Sequence, residues 1–308
     1  MTVEKIGVLV MSYGTPRSLE EIEPYYTHIR RGHPPTQEQL AELTERYEAI
    51  VGGVFPLRAN TDAQVAGLQQ KLDQLAPGKY VCYQGLKHAQ PFIEDGIEQI
   101  ANDGIKKAIG IVLAPHYSIM SIGGYLKRAK QKAEELGIEF KGVESYHLHP
   151  KLIKALADRV QAQLELLMPK RGEKPVKVLF SAHSLPEKIL AMGDPYQDQL
   201  LATSKAIADS IGIEDWQFTW QSAGRTAEPW LGPDILDTMD ELVNEGYKAI
   251  LSAPIGFVSD HLEVLYDLDI EAKAKAADLG VAFERIAMLN TDPLYMETLA
   301  EEVLAITI

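Results

Sequence analysis

The feature that most constrains this chain is a strand pattern that occurs twice. Residues Val178-Leu179-Phe180-Ser181-Ala182-His183-Ser184-Leu185-Pro186 repeat the design of Ile6-Gly7-Val8-Leu9-Val10-Met11-Ser12-Tyr13-Gly14-Thr15-Pro16. Each copy is an apolar run, then a small polar residue, a ring-bearing side chain, and a proline three residues further on. Apolar, β-branched runs of this length read as strands buried on both faces, as in parallel sheets. Proline cannot continue the ladder and marks the turn. Tyr13 and His183 therefore fall at equivalent carboxyl ends of strands, where open α/β sheets bind ligands.

Further ordered matches follow. Leu136-Gly137-Ile138-Glu139-Phe140 is echoed by Leu279-Gly280-Val281-Ala282-Phe283, and the segment from Pro150 to Leu156 by that from Pro293 to Leu299. Gln90-Pro91-Phe92 resembles Glu228-Pro229-Trp230, and Ala108 to Pro115 resembles Ala249 to Pro254. Any two α/β halves share strands that end in Pro or Gly, but four matches in order exceed that. The register drifts, which marks a diverged duplication and not a short-period solenoid.

Strands are predicted near 6–11, 80–84, 107–113 and 139–144, with counterparts near 176–181, 217–221, 248–253 and 281–286. Helical periodicity fills 36–50, 61–75, 91–103, 121–136, 150–166, 196–211, 233–245, 261–278 and 292–306. Strict alternation implies parallel sheets with right-handed crossovers. The expected fold class is α/β: two similar Rossmann-like domains, each a four-stranded parallel sheet flanked by helices. The first spans 1–167 and carries Tyr13; the second spans 176–308 and carries His183 and Glu263. The polar, Pro-flanked segment 168–175 is the expected linker, and the C-terminal helix is expected to pack back on the first domain.

A formal net charge of −14 argues against nucleic acid as a partner. Against it, Arg30-Arg31 and Lys127-Arg128 stand out as basic islands; the second reads as a solvated helix end. The apolar runs are too short to span a bilayer and no signal-peptide pattern opens the chain, so a cytoplasmic protein is expected. A single cysteine, Cys82, cannot supply the thiolates of an iron–sulfur cluster and reads as inert packing. Neither Gly52-Gly53 nor Gly123-Gly124 forms a dinucleotide fingerprint.

Of eight histidines, His116 and His183 follow strands directly and His88 nearly does. His28, His33, His147 and His149 read as surface residues. Glu263, Asp267 and Glu271 lie at i, i+4 and i+8, which on an α-helix makes one line of carboxylates. Such a line is either a solvated acidic face or a row of oxygen donors for a divalent cation. A partly buried carboxylate beside a strand-end histidine suggests general base chemistry with metal handling.

These residues resemble the ferrochelatases, which insert ferrous iron into a porphyrin. The resemblance spans essentially the whole chain. Its most specific element is Ser181-Ala182-His183-Ser184-Leu185-Pro186 with Gly193-Asp194-Pro195-Tyr196. It is supported by Gly85-Leu86-Lys87-His88, Leu113-Ala114-Pro115-His116-Tyr117-Ser118, Trp220-Gln221-Ser222, Pro229-Trp230-Leu231-Gly232-Pro233 and the stretch from Gly256 to Asp267. The resemblance implies two four-stranded sheets with a porphyrin cleft between them.

It further implies that His183 and Glu263 are the paired metal-binding and proton-accepting residues. Asp267 and Glu271, with Arg46 and His88, match an outer cation site, and a widened π-type helix is expected there. The Tyr-Gly-Thr-Pro version at Tyr13 is similar to the coproporphyrin enzymes of Gram-positive bacteria, in which that phenol ligates iron in the product. Tyr13 and His183 would then face opposite sides of the macrocycle. Coproporphyrin has four propionates, and Thr15, Arg30, Arg46, Tyr125 and Lys188, beside Tyr13, match substrate-binding positions. Iron is substrate here; no permanently bound cofactor and no iron–sulfur cluster are implied. A monomer is expected, with a downstream haem-processing enzyme as a possible partner.

The chain departs from the family at Val51 and Phe55, where Gly52-Gly53-Val54-Phe55-Pro56-Leu57 replaces a pattern with serine in place of Phe55, and at Ala223, where glutamate is common. The alternative readings are a protoporphyrin IX ferrochelatase, a sirohydrochlorin-type chelatase, and a non-catalytic haem or metal carrier.

Overall fold

The computed structural model describes residues 4–50, 55–224 and 226–308. Contacts divide the chain into two compact units. One comprises Met1–Tyr146, Ser259–Leu262 and Asn290–Ile308; the other comprises His147–Val258 and Glu263–Leu289.

The first unit is built on strands β1 (Ile6–Ser12), β2 (Tyr80–Leu86), β3 (Lys107–Val112) and β4 (Glu139–Gly142). The second is built on β5 (Lys177–His183), β6 (Trp216–Gln221), β7 (Ala249–Ala253) and β8 (Ala282–Arg285). All pairings are parallel, and the strand orders are β2-β1-β3-β4 and β6-β5-β7-β8, the same topology twice. Every residue of β1 is buried, as is every residue of β7. That burial on both faces is why these strands read as unbroken apolar runs. In each sheet the chain turns outward on opposite sides of β1 and of β5. The carboxyl ends of these two strands are the switch points where such sheets hold ligands.

Four findings revise the sequence reading. The first is an additional helix, Ile22–Ile29. Pro24 lies in its first turn, where a missing N–H has no intrahelical partner to lose. A second helix begins at Pro56, not 61, with proline at its first position. The division between units falls before helix Pro150–Leu167, not at 168–175, because that helix packs on helix Tyr196–Ile211 and on β7 and β8. Finally, the internal match at Pro91 is to Pro233, not Pro229. Leu86 donates its N–H to the Pro91 carbonyl and Trp220 to that of Pro233, ahead of helices Ile93–Asn102 and Ile235–Asn244.

The C-terminal helix Pro293–Ala305 packs on helix Pro56–Leu75 in the first unit, joined by the Lys71–Glu297 ion pair at 3.1 Å. No helix of the described residues is long and apolar enough to cross a membrane.

Candidate active site

In the second unit, His183 is the last residue of β5. Its backbone carbonyl accepts from the Tyr196 hydroxyl at 3.2 Å. The next residue is held twice: Ser184 N–H donates to the Gln221 carbonyl at 2.8 Å and its buried hydroxyl to the Leu231 carbonyl at 2.7 Å. The strand end is thus fixed. The Nδ1 atom of His183 is hydrogen-bonded to the Ser184 carbonyl, which fixes the ring with Nε2 outward. Gly256 crosses the strand here, its N–H donating to the Ser181 carbonyl at 3.1 Å. A Cβ at Gly256 would stand 2.4 Å from that of Ala182, so only glycine allows the approach.

Nε2 of His183 lies 3.5 Å from Oε1 of Glu263, and the two side chains are 33% and 31% exposed. Glu263 occupies the first turn of helix Leu262–Tyr266. Gln221 ties the two elements together, accepting from the Ser181 hydroxyl at 2.9 Å and donating to the Glu263 carbonyl at 3.4 Å. Burial alone would push the His183 pKa down. The Glu263 carboxylate, the Ser184 carbonyl and Asp267 outweigh it and raise the value to about 9. At neutral pH the histidine–carboxylate pair therefore holds one shared proton.

The helix then widens into a π-turn over Asp267–Ala272. Single π-turns are rare and concentrate at functional sites. The widening breaks the expected line of carboxylates. Asp267 is buried and accepts a hydrogen bond from the Ser222 hydroxyl, whereas Glu271 is exposed. Ser222 has φ +58°, a left-handed conformation that a non-glycine residue seldom adopts. Among the described residues no group of three or more His, Cys, Asp or Glu is arranged to hold a metal ion. Lys188, expected at the substrate, is paired with Glu228 at 2.8 Å on the surface.

In the first unit, Tyr13 follows β1 and is 42% exposed. Gly14, at φ +88°, gives the turn, and the Tyr25 hydroxyl donates to its carbonyl at 3.1 Å. Lys87 and His88 donate their backbone N–H groups to the carbonyls of Ser12 and Tyr13. The rings of Tyr13 and His88 are 4.6 Å apart.

Tyr13 borders a cavity of about 580 Å³ with His28, His88, Arg31, Lys87 and Arg128. Burial, aided by Lys87, His28 and Arg128, lowers the His88 pKa to about 3. His88 is thus neutral, with its Nδ1 3.0 Å from that of His28. Three cations around this cavity suit an anionic group better than the metal expected at His88.

Two residues set aside in the sequence belong to this cavity. His28 is exposed, as expected of a surface residue, whereas Arg128 is not the solvated helix end that the sequence predicts. Arg128 instead forms a bidentate pair with Glu94 at 2.8 and 2.7 Å, holding that carboxyl below its usual range, and donates to the Lys87 carbonyl at 2.9 Å.

Of the remaining expected residues, Thr15 is buried with its hydroxyl 3.3 Å from that of Tyr47. Tyr125 is buried under Lys87, whose Nζ lies 4.9 Å from the ring centroid, and burial raises its phenol pKa well above the usual value. Arg30 lies over the Tyr26 ring and donates to the His33 carbonyl at 3.2 Å. Arg46 is half-buried on helix Gln37–Ala49. Phe55 is buried against Tyr47, with ring centroids 4.8 Å apart; Val51, Gly52, Gly53 and Val54 lie outside the described residues. His149, read as solvated, caps helix Pro150–Leu167 by accepting from Lys151 N–H at 3.3 Å. Burial lifts the Cys82 thiol to about 12, so it stays protonated.

A solved sirohydrochlorin chelatase, SirB from Bacillus subtilis subspecies spizizenii in complex with cobalt, superposes with a TM-score of 0.58 at 10% identity, covering 97% of this chain and 94% of that one. That similarity establishes a shared fold. The chain is 48% identical to the coproporphyrin III ferrochelatase of Oceanobacillus iheyensis, over 99% of this chain and 97% of the relative. It is 46% identical to that of Bacillus subtilis, over 99% and 98%. A protein of Herpetosiphon aurantiacus named ferrochelatase is 48% identical over 96% of this chain and 97% of its own length. The ferrochelatase family model matches residues 5–305, and this chain belongs to the ferrochelatase family.

Proposed function

We propose that the protein inserts Fe²⁺ into coproporphyrin III to give Fe–coproporphyrin III, a step of haem biosynthesis, and is a lyase of class 4.99.1. The observation that carries the reading is the 3.5 Å pair of His183 and Glu263 at the end of β5. Insertion replaces two pyrrole protons by one Fe²⁺, so the site must accept protons and hold a divalent cation briefly. A carboxylate and an imidazole supply an oxygen and a nitrogen donor, and each can take a proton. The shared proton of the resting pair must leave first. A ring one-third exposed lets water carry it away. The full-length relatives from Oceanobacillus iheyensis and Bacillus subtilis support the choice of porphyrin.

In this reading Tyr13 ligates iron in the product through its phenol oxygen. Asp267 and Glu271 conduct the cation toward His183 and Glu263. Thr15, Arg30, Arg46, Tyr125 and Lys188 receive propionates. Arg46 and His88, grouped with the outer cation site by resemblance, are better suited to the substrate's carboxylates. With one cysteine the chain cannot by itself supply the thiolates of an iron–sulfur cluster, and this reading invokes no resident cofactor. The protein acts as a cytoplasmic monomer and passes its product to a haem-processing enzyme.

The test is anaerobic Fe²⁺ insertion followed optically, with coproporphyrin III and protoporphyrin IX in parallel. Faster turnover of coproporphyrin III supports the proposal. A preference for protoporphyrin IX would overturn the substrate, and no turnover on either would return the protein to the carrier reading.

A further inference from the structure

The acidic helix of the second unit is anchored at both edges of its sheet. Val264, Leu268 and Ala272 are fully buried and form its core-facing line. Residues one step to either side of such a line point left and right of it. Glu263 and Asp267 lie on one flank, and Asp269 lies on the other. Asp267 reaches Ser222, which directly follows β6. Asp269 reaches Arg285, the last residue of β8. In the order β6-β5-β7-β8 these are the two edge strands, and β5, which ends at His183, lies between them.

The Arg285 contact is a directed one. Nε donates to Oδ1 of Asp269 at 2.9 Å, Nη2 to Oδ2 at 2.7 Å, and Nη1 to the Ile286 carbonyl at 3.1 Å. The Arg285 side chain is 13% exposed and that of Asp269 is 25% exposed. A fork–fork pair fixes an angle as well as a distance, which a lysine ammonium does not. π-turns are rare and occur mostly as single-turn bulges inside α-helices, and here the bidentate Arg285 contact holds a residue of the bulge from outside the helix. Asp269 lies inside that turn, and Glu263 lies on the turn before it.

We propose that Arg285 is a positioning residue for the carboxylates of Glu263 and Asp267, holding the π-turn through Asp269 so that both face the approaching Fe²⁺. The proposal rests on the role assigned above to His183 and Glu263. In this role Arg285 acts through Asp269 and not as a ligand.

The experiment compares Arg285→Lys and Arg285→Gln in the full chain. Initial rates are measured against Fe²⁺ at saturating porphyrin, together with porphyrin binding by fluorescence quenching and Co²⁺ binding without porphyrin. Loss of supporting contacts around metal ligands costs about 10–100-fold in metal affinity or activity. Both variants should raise the KM for Fe²⁺ and weaken Co²⁺ binding by that factor, with porphyrin affinity unchanged. Exchanging the partners, Asp269→Arg with Arg285→Asp, should recover part of the loss. Wild-type KM and Co²⁺ affinity in the folded lysine variant would overturn the proposal. So would a fall in melting temperature with unchanged kinetics per folded molecule. His183→Ala, run alongside, separates the two readings: if it keeps full turnover the assigned reaction chemistry fails, whereas the Co²⁺ titration still judges Arg285.

Discussion

His183 Nε2 stands 3.5 Å from Glu263 Oε1, and the two residues belong to elements bridged by the buried amide of Gln221. The strand supplies the imidazole and the helix the carboxylate. Neither residue alone provides both a proton acceptor and a second donor for a cation. General acid–base groups of this kind contribute about 10²–10⁴-fold to rate. His183→Ala and Glu263→Gln should each lower kcat by a factor in that range, with porphyrin binding by fluorescence quenching near wild type. Turnover within a few-fold of wild type in either variant would remove that residue from the chemistry.

The same pair gives a stability signature with a definite sign. The His183 pKa is raised from 6.5 to about 9 in the folded chain. A group whose folded value lies above its unfolded value contributes stability below the unfolded pKa and loses it as pH rises through the folded one. The contribution should be full below pH 6.5 and gone above pH 9. Its ceiling is about 3 kcal/mol at 1.36 kcal/mol per unit, reduced by solvent at a ring one-third exposed. Urea unfolding of the wild type and of His183→Gln from pH 6 to pH 10 should show a gap that closes as pH rises. A gap constant with pH would mean the pair is not ionised at neutral pH.

The first unit should respond to acid in the opposite sense. His88 falls to about 3 in the folded chain through burial and the neighbouring Lys87, His28 and Arg128. The unfolded chain binds this proton first, so stability drops as pH falls from 6.5 toward 3. His88→Gln should make the acid limb of the stability profile shallower between those values. An unchanged limb would place the acid sensitivity elsewhere.

Most strands were legible because burial on both faces leaves an apolar run, and each lies within about two residues of its expected place. Helix Ile22–Ile29 was hidden by Pro24, whose tolerance depends on its position in the first turn. Arg128 was not legible as a paired residue because its partner, Glu94, is distant in sequence. The π-turn did leave a local trace. Val264, Leu268, Ala272 and Ala276 are buried at a constant spacing of four, and an α-helix would drift about 40° at each such step. A sustained four-residue period signals a widened turn; the family resemblance implies one here, whereas placing the carboxylates at i, i+4 and i+8 of an α-helix does not.

Gly256 offers a test of how closely the strand end must be held. Its φ is not in the left-handed region, so the requirement is space alone. A methyl there would meet Cβ of Ala182 at 2.4 Å and its Cα at 2.8 Å, and the second neighbour is backbone and cannot rotate away. Ile255 and Val258 beside it are buried, so the loop is clamped on both sides of the substitution. Overpacking of this kind costs about 1–3 kcal/mol. The displaced atoms belong to the residue before His183, so Gly256→Ala should lower both the melting temperature and kcat while leaving porphyrin affinity unchanged. A variant that melts lower but turns over at the wild-type rate would show that the loop yields and the strand end does not. In that case the bonds of Ser184 to Gln221 and Leu231 suffice to hold the imidazole.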